Sequence, residues 1–284
     1  MAHVRLSGAQ LVFGCVPDLD DDATRMRLAD LCESLSQRLG RRVLPHRSPS
    51  PRALASAFRA GRVTVAWVSP ASLLTSRDLA QAVPLVCSVR QGLTAYHGCL
   101  YVKSDSDIRS PAELAGTRAA WVAPSSAAGF IFPRLTLAGY GFDPRTLFAE
   151  ESFHGSHGQV AQAVLSGRCD VGAGYAVFEN GNPTSTLVRA PFLDQPGATG
   201  RILLATSPIP SDLIVAAQSL SAVLRAQLTR SLEELGDDHV SRAALAHVLG
   251  VESFVRHTPD SLAALREQID VGRRLGVLDD SVRD

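Results

Sequence analysis

Residues 118–140 read RAAWVAPSSAAGFIFPRLTLAGY, and the parsing of this stretch decides the fold. Ala119 to Ala123 form a run of apolar and small residues between turn formers, the pattern of a short buried strand. Pro124 ends it. Ser125 and Ser126 are good helix N-caps. From Gly129 onward, Phe130, Ile131, Leu135, Leu137 and Ala138 recur at helical spacing. Such a joint gathers free backbone N–H groups, two hydroxyls and the positive end of a helix dipole, which together can hold an anion. The small residues at 125–129 would let a ligand approach the backbone. An ordinary capped strand-to-helix turn has the same pattern, so this stretch alone does not separate the two readings.

The pattern recurs in both directions along the chain. VTVAWVSP is an apolar strand running into Ser69-Pro70, a cap followed by proline at the first helical position. In HGSHGQVAQAVLSGRCDVGAGY, Ser156 and Gln159 are spaced as a capping box. Val160 to Leu165 make the helix, Gly167 stops it and a strand over 169–174 follows. Upstream lie a strand over 11–16, an amphipathic helix over 23–39, a short strand over 42–45 and a helix in SPSPRALASAFRAGR. Further strands are expected at 84–89, 95–103 and 202–205. SPAELAGT reads as a compact helix with Ser110 as cap and Glu113 completing a box, 142–151 as a loop and SPIPSD as a stiff turn. The remainder is helical over 220–235, 242–249 and 261–275, with no strong strand.

Strands alternating with helices predict an α/β protein with parallel sheets. Two such halves and a helical tail predict two lobes: 1–96 plus 201–284, and 97–200 inserted between them by a two-crossing hinge. The Gly-, Pro- and Thr-rich segment ENGNPTSTLVRAPFLDQPGATG would cross between the lobes. Ligands of open α/β sheets sit beyond strand C-termini. If the joints at Ser69, Ser125-Ser126 and Ser156-His157 face one cleft, their dipoles favour an anion there.

Composition removes several classes of function. Lys plus Arg equal Asp plus Glu at 28 each, with no long basic run and few aromatics, which argues against nucleic acid. No apolar run approaches the roughly 20 residues of a membrane span. The five cysteines are widely spaced without a CxxC, so neither a disulfide framework nor a zinc site is indicated. Neither a metal nor a cofactor is called for. Cys15 stands apart, because it ends a predicted strand. MAHVRLSGAQLVFGCVP has little positive charge and no clear cleavage site, so it reads as the first strand rather than a leader. The expectation is a cytoplasmic protein, or a periplasmic one if a leader has been removed.

The ordered motifs resemble those of the phosphate/phosphite/phosphonate-binding proteins of ABC importers. They run from GCVPDLD and VAWVSPASLL, through YHGCLYVKSDSDIRSPAELAGTRAAWVAPSSAAGFIFPRLTLAGYGFDP, FHGSHGQVAQAVLSGRCDVGAGY and SPIPSDLIV, to LGVESFVRHT. That family has the two-lobed type II periplasmic-binding-protein fold, closing on a ligand in a central cleft. The resemblance implies that phosphonate oxygens meet Ser125 and Ser126 and the N–H groups of Ala127 and Ala128. It implies His157 as a further phosphonate contact, Tyr96 as an aromatic pocket residue and Asp212 as an acid that can meet a ligand amine. Tyr175 and Glu179 lie near a second polar contact, and Trp67, Ser69 and Cys15 complete the candidates. Ser125 could equally be only a cap, His157 an exposed first-turn histidine, Trp67 and Tyr96 core residues, and Asp212 a cap.

One departure stands out: where the family typically carries Thr-Ser-Gly, this chain has Ala127-Ala128-Gly129. Two hydroxyl donors are absent, each worth roughly 0.5–1.5 kcal/mol net. The reading that follows is a non-catalytic protein for a small phosphonate-like or carboxylate anion with altered specificity, with a transporter or signalling protein as a possible partner. The alternatives are a cytoplasmic enzyme on the same scaffold, with His157, His154, Cys15 or Glu179 as candidate groups, or a ligand-sensing domain.

Overall fold

The computed structural model describes residues 10–17, 21–197 and 199–277. The stretch before Gln10, on which the reading of a leader partly turned, lies outside the described residues. The chain opens with β1 (Leu11–Cys15), α1 (Asp22–Leu39), β2 (Val43–Arg47), α2 (Pro51–Arg59), β3 (Val65–Val68), α3 (Pro70–Thr75) and β4 (Ala82–Val89). β5 (Ala95–Lys103), β6 (Arg118–Trp121), α4 (Phe132–Gly139), β7 (Glu150–Phe153), α5 (His157–Leu165), β8 (Val171–Phe178), β9 (Leu187–Arg189) and β10 (Gly200–Pro210) follow. The last elements are β11 (Leu213–Ala217), α6 (Ala222–Glu233), α7 (His239–Leu249), β12 (Ser253–Arg256) and α8 (Ala263–Arg274). Of the described residues, those up to Thr94 together with Ser211–Pro259 form one compact unit. Ala95–Pro210 together with those from Asp260 form the other.

The first unit is a six-stranded sheet of order β12-β4-β11-β3-β1-β2. β1 pairs in parallel with β2 and β3, whereas β11 runs antiparallel to β3 and β4, and β12 antiparallel to β4. Its helices start where side chains satisfy orphan N–H groups. Asp21 accepts from Thr24 N at 2.8 Å to begin α1, and Asp238 from Ser241 N at 2.8 Å to begin α7. Gly40, at φ 59°, closes α1. Leu28, Leu31 and Leu35, one stripe of α1, pack with Phe13, Val65, Ile214 and Leu245 in a single core.

The second unit is a sheet of order β10-β5-β8-β6-β7, with β9 against β8. β6 is parallel to β7 and β8, and β5 antiparallel to β8 and β10. Alternation along β5 loads both faces. Leu100 and Val102 pack with Trp121 and Leu137 on one side, Cys99 and Tyr101 with Val160 and Val164 on the other. α5 lies so close to β8 that a Cβ on Gly172 would meet Val164 Cγ2 at 2.7 Å.

Several sequence expectations change here. Both sheets are mixed rather than parallel, because β11, β12, β5, β9 and β10 return antiparallel. SPIP is not a turn: β10 continues through Pro208 to Pro210, which its edge position permits. Polar, exposed EESF is a strand because β6 offers it a pairing edge. β12 likewise pairs with β4, between two of the expected tail helices where no strong strand was expected. SPAELAGT forms only a 3-10 turn, Pro111–Leu114, without a Ser110 side-chain cap; Glu113 instead accepts from Arg109 N at 2.7 Å and Ser110 Oγ at 3.1 Å. The segment 179–200 stays within the second unit through β9. The tail helix α8 also packs there, against α4, because its apolar positions Leu265 and Ile269 are buried in that unit.

Candidate functional site

The connection leaving β6 builds one end of the second unit. Ser126, in extended backbone, accepts from Gly129 N at 3.1 Å and starts a single wide turn, Ala127–Ile131, that leads into α4. Val122 N donates to Gly129 O at 3.1 Å, folding the connection onto itself. Only glycine fits at 129, where a Cβ would come within 2.4 Å of Val122 Cγ2. Behind the turn, Arg134 is buried against Glu151, which also accepts from Trp121 Nε1 at 2.8 Å. The guanidinium covers the Phe130 ring at 4.9 Å and the Trp121 ring at 5.6 Å. The Arg134–Glu151 pair, with Trp121 Nε1 on the same carboxylate, ties α4 to β6 and β7.

The connection leaving β7 is strapped to the first. His154 N donates to Trp121 O at 2.9 Å and Gly155 N to Val122 O at 2.8 Å. The two helix starts, at Ser126 and Ser156, therefore stand side by side. Ser156 accepts from Gln159 N at 3.3 Å, and His157 opens α5. The His157 ring meets Tyr175 edge-on, centroids 5.1 Å apart at 79°, and its buried Nδ1 has no protein partner. Burial pushes its pKa down to about 4, so the ring is neutral at pH 7.

Tyr175, on β8, faces Gly98 of β5 across the ladder, and a Cβ on Gly98 would stand 3.4 Å from Ala128 Cα. Ser126, Ala127, Ala128, His157 and Tyr175 thus belong to one neighbourhood, with exposed Ser125 at its edge. Tyr175 donates to Asp194 Oδ2 at 3.1 Å, and the Arg189 guanidinium lies 5.7 Å from its ring centroid. Burial, with Asp194 second, raises the Tyr175 pKa and keeps it a phenol. Sequence reading missed Asp194 and Arg189, since neither sits in a motif. Tyr96 is half-buried on β5 opposite Ile209. Glu179 is exposed in a short 3-10 turn after β8.

The first unit holds the other candidates. Ser69 caps α3, accepting from Ser72 N at 3.1 Å. Trp67, half-buried on β3, donates through Nε1 to Ser88 Oγ at 3.4 Å and carries the Arg90 guanidinium 5.9 Å from its ring centroid. Arg90 bonds Asp212 Oδ2 at 2.8 Å and also donates to Gly250 O at 3.0 Å and Leu249 O at 3.1 Å, the end of α7. Arg90 and Ser88 were not legible as candidates. Cys15 is fully buried in the core, where desolvation pushes its thiol up to about 12, so it packs as an apolar group. Among the described residues no group of three or more His, Cys, Asp or Glu could hold a metal ion, and no helix is long and apolar enough to cross a membrane.

A family model described as "ABC transporter, phosphonate, periplasmic substrate-binding protein" matches residues 13–262. Among solved structures, XAC2383 from Xanthomonas citri bound to chloride ion is similar at 26% identity and TM-score 0.74, over 93% of this chain and 99% of that one. The binding-protein component PA3383 of an ABC phosphonate transporter from Pseudomonas aeruginosa aligns at 21% identity and TM-score 0.68, over 94% of this chain and 88% of that one. PhnD1 from Prochlorococcus marinus in complex with methylphosphonate aligns at 17% identity and TM-score 0.66, over 96% and 99%. The last two likenesses establish a shared two-lobed type II periplasmic-binding-protein fold. The matched family is periplasmic, and nothing in these matches supports the expectation of a cytoplasmic protein.

Proposed function

Because the chain belongs to the family of ABC-transporter phosphonate periplasmic substrate-binding proteins, we propose that it binds a small phosphonate-like or carboxylate anion without chemical change. In this reading it acts in the periplasm and delivers the ligand to a transporter's membrane component. The observation that carries the ligand class is the pair of helix starts at Ser126 and Ser156, held side by side, together with the buried, unpartnered His157 Nδ1 at the start of α5. Early N–H groups of a helix have no acceptor within it, and the dipole favours negative charge. The proposed contacts in the second unit are Ser125, Ser126, the N–H groups of Ala127 and Ala128, His157, Tyr175 and Tyr96.

Two features support altered specificity. Ala127 and Ala128 are buried and supply no hydroxyl, so an anion here depends on backbone N–H groups and His157. Asp212 is already ion-paired with Arg90, which supports a ligand without an ammonium group. Titration calorimetry against phosphate, phosphite, methylphosphonate, 2-aminoethylphosphonate and small carboxylates tests the proposal, together with native mass spectrometry of the purified protein. Binding of at least one of these anions, weakened by His157→Ala, supports it. A protein that takes none of them at millimolar concentration yet retains a neutral metabolite overturns it.

A further inference from the structure

A second group of reactive side chains lies under α5. Cys169 Sγ is 3.9 Å from His154 Nε2 and 3.7 Å from Ser152 Oγ, and Ser152 Oγ is 3.0 Å from the same His154 Nε2. Ser152 Oγ also reaches Ala119 O at 3.4 Å, so its proton can point there and leave its lone pairs for an imidazolium N–H. Arg118, on β6, is anchored on either side of Cys169 in sequence. Its guanidinium is tied to Gly167 O at 3.0 Å and to Asp170 at 2.7 Å, which neutralises the nearest carboxylate. Cys169 N donates to Ala163 O at 3.1 Å, fixing the backbone beneath the helix.

We propose that Cys169, with His154 as its proton acceptor and Ser152 as the group that steadies the charged ring, is the reactive thiol of this protein and a site of oxidation by hydroperoxides. The thiol proton passes to His154 Nε2, leaving a thiolate paired with an imidazolium. The thiolate attacks one oxygen of the hydroperoxide, forming an S–O bond as the O–O bond breaks. The departing alkoxide or hydroxide takes the proton from His154, which yields sulfenic acid and one alcohol or water. All five cysteines are buried, and among the described residues none of the other four has an imidazole within hydrogen-bond reach. Burial pushes Cys15, Cys32 and Cys99 up to about 12 and Cys87 up to about 11.

The test is timed alkylation of the native full chain with iodoacetamide from pH 5 to 9, followed by peptide mass mapping of each cysteine. Cys169 is expected to react at least tenfold faster than Cys15, Cys32, Cys87 and Cys99. Under hydrogen peroxide with dimedone, the adduct should map to Cys169. His154→Gln should slow Cys169 about tenfold and move the midpoint of its pH profile upward. Ser152→Ala, which leaves the β6–β7 backbone ladder intact, should slow it several-fold. Equal rates at all five cysteines would overturn the proposal, as would an unchanged Cys169 rate and pH midpoint in both folded variants.

Discussion

The Arg90 guanidinium sits 2.8 Å from the Asp212 carboxylate, with the two side chains 35% and 22% exposed. The carboxylate is thereby neutralised by a side chain 122 positions away in sequence, which also holds the C-terminal carbonyls of α7. A ligand ammonium would have to compete with an established charge-assisted bond. We therefore expect 2-aminoethylphosphonate to bind no more tightly than methylphosphonate. In Arg90→Gln the order should reverse by at least several-fold. Calorimetry on both proteins checks this, and a native preference for the amine would refute it.

His157 makes stability depend on pH. Its folded pKa, about 4, lies below the ordinary 6.5 because burial disfavours the cation. Above pH 6.5 the ring is neutral in both folded and unfolded chains and the stability is complete. Between pH 6.5 and about 4 only the unfolded chain takes up the proton, so stability falls as the pH falls. His157→Gln should lose less stability over that window than the native protein. Urea midpoints measured from pH 7 to 4 provide the comparison; parallel curves would contradict it.

Ser126→Ala removes the side-chain acceptor for Gly129 N. Loss of a helix cap costs about 1 kcal/mol, within a range of roughly 0.5–2. The proposed anion site should weaken as well, since the same turn presents its N–H groups. Denaturation and calorimetry on one preparation report both, and a variant unchanged in either would count against this account of the turn.

Gly129→Ala should be worse, although alanine is the better helix former. The new methyl would meet Val122 Cγ2 at 2.4 Å and Val122 Cβ at 2.6 Å, contacts that require the turn to move. Overpacking of this kind costs about 1–3 kcal/mol. By contrast, Gly139→Ala meets nothing within 4 Å and should be neutral or stabilising. Thermal melts of the pair decide; equal melting points would show that the turn yields freely.

Ala127→Thr with Ala128→Ser restores two donors to the proposed anion site. At roughly 0.5–1.5 kcal/mol per hydroxyl, methylphosphonate affinity should rise about tenfold to a hundredfold. Submicromolar binding by the native protein would remove the premise. A folded double variant with unchanged affinity would show that these positions do not face the ligand.

Local order was legible in the chain because caps and apolar periods act within a few residues. Ser69, Ser126 and Ser156 begin helices as their spacing requires, and Val65–Val68, Arg118–Trp121 and Leu11–Cys15 are strands as their composition requires. The side-by-side placement of Ser126 and Ser156 was not legible, for it depends on Gly155 N finding Val122 O across the β6–β7 ladder. Neither was Glu150–Phe153, whose polar sequence becomes a strand only because an edge is offered to it. The Arg90–Asp212 pair and the Cys169–His154–Ser152 group join residues that local pattern treats as unrelated. Sequence by itself determined the elements with a strong local pattern, and the family. Tertiary structure decided which charges are already paired and which polar atoms remain without partners, because that depends on strand order and register rather than on any residue's near neighbours.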